Sequence, residues 1–367
     1  AMVVLQLMDG RDDLRDIQGA ILREYGQMIE YQALRNLAEA LDDNFYLEGP
    51  TFQAAMCREM DSPWRPALLA GQSYPADPGE LTALFSSFFG HASGPGEVPP
   101  AERCAAPAGL MAPHIDYARG GPCYAWAYAQ LEPATPPDLV VILGTAHAPL
   151  PDALSVGAKD LATPFGPVAC AQDLAREISA RLGLSRTEDE LASRCEHSVE
   201  LQAVWLAGHY RGAGRPLVLP LLVGSFLPLI EQGLSPEESP RYEESLGVLA
   251  ETLEDWAGTH GRVTLLASVD LSHVGPQFED EFPVTPAVLE EVRDSDLALL
   301  ERVAAGDHAG FYAGVAAKRD RTHICGLAAI YTLLRLLRGR PGRLLAYHQW
   351  RDESGQGLVS FASLLFP

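Results

Sequence analysis

The stretch Leu139-Val140-Val141-Ile142-Leu143-Gly144-Thr145-Ala146-His147 determines our interpretation of the fold. Residues 139–143 are all apolar and mostly β-branched, which predicts a strand that is buried on both faces. A glycine and a short segment then lead into a histidine. Two other predicted strands end in the same way: Gly109–Ala112 runs into His114, and residues 263–269 run into Asp270 and His273.

The rest of the chain beyond residue 63 alternates apolar strands with helices. Further strands are predicted at residues 217–223, 344–347 and 358–365. Helical periodicity predicts helices at residues 173–182, 199–207, 242–256, 289–303 and 325–337. This alternation predicts an α/β domain with a mixed or largely parallel central sheet flanked by helices, spanning residues 63–367.

Residues 1–62 have a different pattern and are predicted to form a small separate module. Residues 3–7 and Phe45-Tyr46-Leu47 are predicted as short strands, with Asp12 or Asp13 capping the first of the helices between them. This order predicts a winged-helix-like α+β module. Because the segment is rich in Asp and Glu, we expect it to dock a peptide or a partner, or to pack on the larger domain, rather than to bind nucleic acid.

The composition excludes several classes of protein. The 27 Lys and Arg residues against 49 Asp and Glu give a net charge of −22, which disfavours nucleic-acid binding and a basic membrane-surface segment. No apolar run approaches the ~20 residues of a spanning helix, and no export signal is visible. The six cysteines lack Cys-x-x-Cys pairs and are interpreted as reduced thiols. We therefore expect a soluble cytoplasmic protein.

Polar residues at the ends of three strands predict a ligand site. In open α/β sheets, ligands bind outside the carboxyl ends of the strands, so His114, His147 and Asp270 are expected to converge there. Imidazoles with a carboxylate are typical ligands of a non-haem metal. His197 begins a further apolar helix, where Glu196 or Glu200 could orient it as a general base. His323, before another apolar helix, could close one side of the pocket.

Five motifs together resemble a known family. They occupy residues 65–77, 112–121, 143–147, 196–200 and 270–273, in that order. The set resembles the Memo family, whose bacterial and archaeal members are called AmmeMemoRadiSam system protein B. The resemblance covers about residues 65–367, whereas the N-terminal module lies outside it and loosely resembles small PqqD-like domains.

The resemblance implies a fold similar to the class III, LigB-type extradiol dioxygenases, which open catechol rings with Fe(II) held by two histidines and a carboxylate. His114 and His147 then match the two histidine ligands, and His197 matches the acid/base histidine. The animal Memo protein has a cysteine where this chain has Ser272, and a serine hydroxyl is a poor ligand. Asp270, His273 or water could take the third position instead. Asp116, Glu196 and His273 are expected to line the substrate pocket.

Three functions remain open at this point. The leading one is a metal-dependent, dioxygenase-like or redox enzyme acting on a small or peptide-borne substrate, with Fe(II) as the metal and copper or zinc as alternatives. The second is a non-catalytic protein that binds a peptide or partner in a vestigial metal pocket. The third is metal-assisted hydrolysis. The resemblance also implies association with a radical SAM protein as a partner.

Overall fold

The computed structural model describes residues 2–212 and 214–367. The chain divides into two compact units, one ending at Pro63 and the other beginning at Trp64. The described part of the first unit contains four helices: α1 Met2–Leu7, α2 Leu14–Tyr25, α3 Tyr31–Asp43 and α4 Pro50–Asp61.

The first unit differs from the predicted α+β module. Asp13 caps α2 with a capping box, as one of the two predicted aspartates. The strand prediction for residues 3–7 was wrong, because this segment forms α1 and buries Val4 against Ile17 and Ile21 of α2. The prediction for residues 45–47 was also wrong, since Phe45 has a φ of +62° in a turn. The strands of a winged-helix-like module are therefore absent from residues 2–63.

The second unit contains the remaining elements that the structure describes. Its strands are β1 Trp64–Arg65, β2 Gly109–Ala112, β3 Leu139–Thr145, β4 Leu154–Val156, β5 Asp160–Leu161, β6 Leu217–Val223, β7 Val263–Ser268, β8 His273–Val274, β9 Arg343–Arg351 and β10 Leu358–Phe366. Its helices are α5 Pro78–Phe89, α6 Tyr117–Tyr128, α7 Gln172–Leu182, α8 Arg186–Arg194, α9 His197–His209, α10 Leu227–Gln232, α11 Pro240–His260, α12 Pro286–Ala304, α13 His308–Ala316 and α14 Leu327–Leu336.

A mixed, largely parallel sheet forms the centre of this unit. The strand order is β4-β6-β3-β7-β2-β10-β8, and β9 also pairs with β10. The four strands β6, β3, β7 and β2 are parallel to their neighbours within this group. β4 is antiparallel to β6, and β10 is antiparallel to β2, β8 and β9. The predicted α/β class with a mixed or largely parallel sheet is confirmed.

Helices cover both faces of the sheet. Val140 and Ile142 of β3 pack into one buried cluster with side chains of α5, α6 and α9. Val141 and Leu143 of the same strand pack into a second cluster with α7, α11 and α14. Burial on both faces explains why the sequence of β3 is continuously apolar rather than alternating. No helix in the described part of the chain combines the length and apolar character needed to cross a lipid bilayer.

The register of the parallel strands sets the position of the site. Ser268 of β7 pairs with Ala112 of β2 on one side and with Gly144 of β3 on the other. The residues that follow these three positions therefore leave the sheet at the same edge. Since β7 lies between β2 and β3, the predicted convergence of His114, His147 and Asp270 follows from strand order and register.

Candidate metal centre

Three histidines meet at the carboxyl edge of the parallel strands. The ring centroids of His114 and His147 lie 5.0 Å apart, those of His114 and His197 5.2 Å, and those of His147 and His197 4.4 Å. One potential ligand atom from each imidazole lies within 4.8 Å of the other two. The cluster can therefore hold a metal ion.

A buried hydrogen-bond network fastens α9, which carries His197, to the ends of three strands. The side-chain amide of Gln202 donates to the carbonyl of Pro113 at 2.7 Å and to the hydroxyl of Ser268 at 2.9 Å. The Ser268 hydroxyl donates to the carbonyl of Ser198, and the Ser198 hydroxyl donates to the carbonyl of Thr145 at 3.0 Å. The network thus fixes the start of α9 against β2, β3 and β7.

Gly144 allows this close contact between β3 and α9. A Cβ atom at Gly144 would lie 2.7 Å from the Ser198 hydroxyl oxygen and 3.0 Å from a methyl carbon of Val199. The first contact is shorter than real Cβ contacts and the second is unusually tight, so a side chain at this position would push the start of α9 away from the strand.

Hydrogen bonds orient two of the imidazoles. His114 Nδ1 lies 2.9 Å from the backbone carbonyl of Ser268, and His147 Nδ1 lies 3.0 Å from a carboxylate oxygen of Glu196. Both partners only accept hydrogen bonds, so each Nδ1 carries a proton and Nε2 is the nitrogen left to bind a metal ion. This is the arrangement by which acceptor groups outside a metal site orient its histidine ligands.

Glu196 is the buried carboxylate that organises the start of α9. As the N-cap residue it accepts the backbone N–H of Ser198 at 3.0 Å, and it also accepts the backbone N–H of His147 at 3.0 Å. Burial favours its neutral form, but the hydrogen bonds and charge of His147 lower the pKa of Glu196 to about 2. The same contact raises the pKa of His147 against the opposing effect of burial.

The other two imidazoles are neutral at physiological pH. Burial, followed by the charge of His147, lowers the pKa of His114 to about 3. Burial, followed by the charges of His114 and His147, lowers the pKa of His197 to about 4. Neutral imidazoles are the form that binds metal ions, and His197 is also free to accept a proton.

A cavity of about 470 Å³ opens onto the cluster. Its other lining residues include Asp116, Arg119, His273 and the apolar side chains of Leu69 and Phe278. Asp116 caps α6 and holds the guanidinium of Arg119 at 2.6 Å. A larger cavity of about 850 Å³, lined by α11 and residues 335–341, lies where β2 and β7 begin and contains none of the three histidines.

The three residues considered as the third metal ligand have different surroundings in the structure. Asp270 is buried, accepts the backbone N–H of His114 at 3.0 Å, and has a carboxylate oxygen 3.6 Å from His114 Nε2; burial raises its pKa. Ser272 is fully buried and its hydroxyl donates to Asp296 at 2.7 Å. The structure does not bring this hydroxyl to the histidines. His273 lines the cavity with its Nδ1 3.0 Å from the carbonyl of Leu271.

Glu200 does not take the orienting role considered for it. Its carboxylate accepts the backbone N–H groups of Leu68 at 3.0 Å and Leu69 at 2.8 Å and the hydroxyl of Tyr74 at 2.6 Å. Glu200 therefore holds residues 68–74, part of which lines the cavity. Among the two glutamates, it is Glu196 that contacts an imidazole.

Sequence reasoning missed Cys325. It was predicted as the first residue of a helix, but α14 begins two residues later at Leu327. In the loop before α14, the Cys325 sulfur lies 3.3 Å from His114 Nε2 and 3.7 Å from the carbonyl of Asp270. The available signal was the Cys325-Gly326 pair, one residue after Thr322-His323, at the same boundary where His323 was considered.

The fold and the cluster define an α/β protein with a candidate metal centre at the carboxyl edge of its parallel strands. The family model described as Memo-like protein matches residues 65–365. The chain belongs to the Memo family, and the resemblance inferred from its motifs is confirmed.

Similar proteins support this assignment. A MEMO1 family protein of Thermus thermophilus is 34% identical over 342 residues, which cover 93% of this chain and 94% of that protein. One from Aquifex aeolicus is 25% identical over 372 residues, covering 100% and 90%. One from Methanopyrus kandleri is 28% identical over 311 residues, covering 82% and 98%.

Sequence similarity to two of these relatives extends over more of the chain than the motifs indicate. The first unit holds 63 of the 367 residues, so a match over 93% of the chain must extend into it. The family model itself begins at residue 65, as expected, so the N-terminal module lies outside the part of the chain that defines the family. The alignments with the Thermus and Aquifex relatives nevertheless extend into that module. The five motifs failed to show this because they all lie beyond Pro63.

Proposed function

We propose that this protein is a metal-dependent enzyme of dioxygenase-like or redox type, in which His114 and His147 bind Fe(II) and His197 carries a proton. The observation that supports it most strongly is the convergence of three imidazoles, one buried, one partly buried and one exposed, whose potential ligand atoms lie within 4.8 Å of one another. The substrate is a small molecule or a side chain of a peptide.

The residues present fit a metal ion of this class. The Nε2 atoms of His114 and His147 are the nitrogens left to bind a metal, because both Nδ1 atoms donate to fixed acceptors. At His147, whose pKa is raised, the metal would take the place of the Nε2 proton. Two imidazoles with a further anionic donor are a usual ligand set for non-haem Fe(II), while copper and zinc are also bound by imidazole. When bound, such a metal supplies redox or Lewis-acid chemistry to a substrate in the adjoining cavity.

His197 is suited to proton transfer. Its pKa of about 4 keeps it neutral at pH 7, so it accepts a proton rather than donating one at the start of a reaction. Its position at the first residue of α9 is fixed by the Ser198 and Gln202 network, which keeps the imidazole in the cavity wall. In this role, His197 takes the proton of a substrate hydroxyl or amide.

The cavity limits the size of the substrate. A volume of about 470 Å³ is within the range of small-molecule sites. Leu69, Ile115 and Phe278 offer apolar contacts, while Asp116 and Arg119 form a polar side. This combination fits a compact molecule with one apolar ring or chain and one polar end.

Elemental analysis of protein purified without oxygen tests the proposal. We expect about one iron per chain after loading with ferrous iron, and loss of this iron when His114→Ala and His147→Ala are combined. His260→Ala is the matched control, because His260 is an exposed histidine that stacks on Trp256 outside the cavity. It should keep its iron.

Three results would change the proposed function or its metal ligands. If wild-type protein holds no transition metal after loading, the enzyme proposal fails and a peptide- or partner-binding function replaces it. If the double variant keeps its iron, these histidines are not the ligands. If peptides or small esters are cleaved without oxygen consumption, metal-assisted hydrolysis replaces the oxygen-dependent chemistry.

A further inference from the structure

Arg119 places a guanidinium in the wall of the cavity that contains the histidine cluster. It lies in the first turn of α6, three residues after the N-cap residue Asp116. Its side chain is 33% exposed, so part of the guanidinium is open to a molecule in the cavity. Because arginine keeps its positive charge at any physiological pH, this group affects which substrates the cavity accepts.

Asp116 holds one edge of this guanidinium. Its Oδ2 accepts the Nε–H of Arg119 at 2.6 Å and lies 2.6 Å from Nη2. Its Oδ1 accepts the backbone N–H of Arg119 at 3.1 Å. Both carboxylate oxygens of Asp116 are therefore used within the same helical turn. Asp116 is a positioning residue, because it removes rotamer freedom from Arg119 that a ligand would otherwise have to restrict.

The indole of Trp350 holds one face of the same guanidinium. Cζ of Arg119 lies 4.7 Å from the centroid of the indole, which is a cation–π contact. Trp350 in turn packs against a buried apolar cluster that includes Ile115 and Val359. The guanidinium is thus fixed from two directions, by an ion pair along one edge and by an aromatic ring on one face.

The end edge of the guanidinium, which includes Nη1, remains for a ligand. A guanidinium has five N–H donors in a rigid planar fork, and Asp116 uses those on the Nε side. Among the contacts of the described residues, Nη1 donates to no protein acceptor. A carboxylate matches such an edge with two parallel N–H···O hydrogen bonds. Arg119 is therefore preorganised to recognise a planar anion.

Apolar side chains line the same cavity and continue into the cluster beneath Trp350. Ile115 and Val359 belong to that cluster, and Phe278 packs against it. The ring of Phe278 also meets the ring of His273 edge-on, with centroids 5.1 Å apart. Apolar walls of this kind bury a ring or an alkyl chain, while a few fixed polar groups orient the ligand.

We propose that the substrate is a small organic acid whose carboxylate forms two parallel hydrogen bonds with the free edge of Arg119. Its apolar body packs on Ile115, Phe278 and Val359. This rests on the proposed function, because the rest of the molecule then lies in the cavity that adjoins the histidine cluster. A volume of about 470 Å³ suits one small molecule rather than a peptide segment.

Equilibrium dialysis of the metal-free full chain with phenylacetate tests the proposal, and phenylacetamide is the uncharged probe of the same shape. The metal is left out so that a carboxylate cannot bind it directly. We expect the wild type to bind phenylacetate about 10- to 100-fold more tightly than phenylacetamide. Arg119→Gln should lose this preference. Arg119→Lys keeps the charge but lacks the fork, so it should bind phenylacetate about tenfold more weakly than the wild type.

Arg176→Gln is the matched control. Arg176 pairs with Asp173 at 2.6 Å with the same spacing of three residues, near the start of α7, but does not line this cavity. This variant should bind both probes as the wild type does. Each variant is first shown to be folded by circular dichroism. Iron content after ferrous loading is measured in parallel, and Arg119→Gln should hold as much iron as the wild type.

The other outcomes overturn the proposal. A wild type that binds neither probe, or both equally, has no carboxylate site in this cavity. If Arg119→Gln keeps the preference, the carboxylate binds another group, such as the imidazole of His147. Wild-type affinity in Arg119→Lys refutes the two parallel hydrogen bonds, and this variant decides if Arg119→Gln does not fold.

Iron content and probe binding separate this inference from the proposed function. A wild type that prefers phenylacetate but holds no iron after loading refutes only the metal-dependent function. A wild type that holds iron on the histidines but shows no preference for phenylacetate refutes only the assignment of Arg119.

Discussion

Replacing Glu196 with glutamine removes the negative charge beside His147 while keeping the size of the side chain. In the native protein the carboxylate accepts the Nδ1–H of His147 and the backbone N–H groups of His147 and Ser198, each at 3.0 Å. The glutamine amide offers one acceptor oxygen and one NH₂ group, so at least one of these N–H donors faces another donor.

We expect Glu196→Gln to lose the metal affinity that a group orienting a metal ligand normally contributes. Removing such a partner typically lowers metal affinity about 10- to 100-fold, which corresponds to about 1.4 to 2.8 kcal/mol. Losing the charge-assisted cap should also reduce the free energy of unfolding, by about 1 to 3 kcal/mol. With the amide NH₂ turned to His147, Nδ1 loses its acceptor and the imidazole is free to change tautomer, and this accounts for the effect on affinity.

Competition with a chelator under anaerobic conditions measures the affinity, and urea denaturation measures stability. Asp77→Asn is the matched control, because Asp77 also caps a helix by accepting two backbone N–H groups but lies in an exposed position away from the histidines. It should leave metal affinity unchanged. Wild-type affinity in folded Glu196→Gln, or an equal loss in Asp77→Asn, would refute the assigned role of Glu196.

Three further predictions concern stability and pH. Gly144→Ala should lower the free energy of unfolding by about 1 to 3 kcal/mol and weaken metal binding, because its Cβ would overlap α9. The control is Gly247→Ala on α11, where the added Cβ lies in open space. This variant should be as stable as the wild type or more stable. Ser272→Cys should cost about 1 to 2 kcal/mol in urea denaturation without raising metal affinity, because position 272 faces Asp296; a tighter site would contradict this. Burial lowers the pKa of His209 to about 4, so the folded state resists its protonation. Between pH 7.5 and 4.5, the free energy of unfolding of the metal-free wild type should therefore fall by about 2 to 3 kcal/mol more than that of His209→Gln. If the two proteins lose stability in parallel, His209 does not titrate in this way.

The fold of the second unit was predictable because its strands are buried on both faces. A run such as residues 139–143 must be covered by helices on both faces of the sheet. The helical periodicity of the intervening segments predicted those helices. The first unit was harder to predict. Short apolar runs such as residues 3–7 fit a strand or a helix equally well, and the packing of Val4 against Ile17 decided in favour of a helix.

The candidate site was predictable where it depends on strand ends. His114, His147 and Asp270 each follow a parallel strand closely, so strand order alone brings them together. The roles of individual carboxylates were not predictable. Glu196 and Glu200 both lie near His197 in sequence, yet only the orientation of α9 sends the first to His147 and the second to residues 68–74.

The sequence alone determined an α/β body, a site at the carboxyl edge of its parallel strands, and membership of the Memo family through five ordered motifs. It did so because buried strands and strand-end histidines leave local patterns. The tertiary structure decided which atoms meet. Cys325 is distant in sequence from His114, and Ser272 is turned to Asp296. Both placements depend on how loops pack across the sheet, and residue type and spacing do not encode that packing.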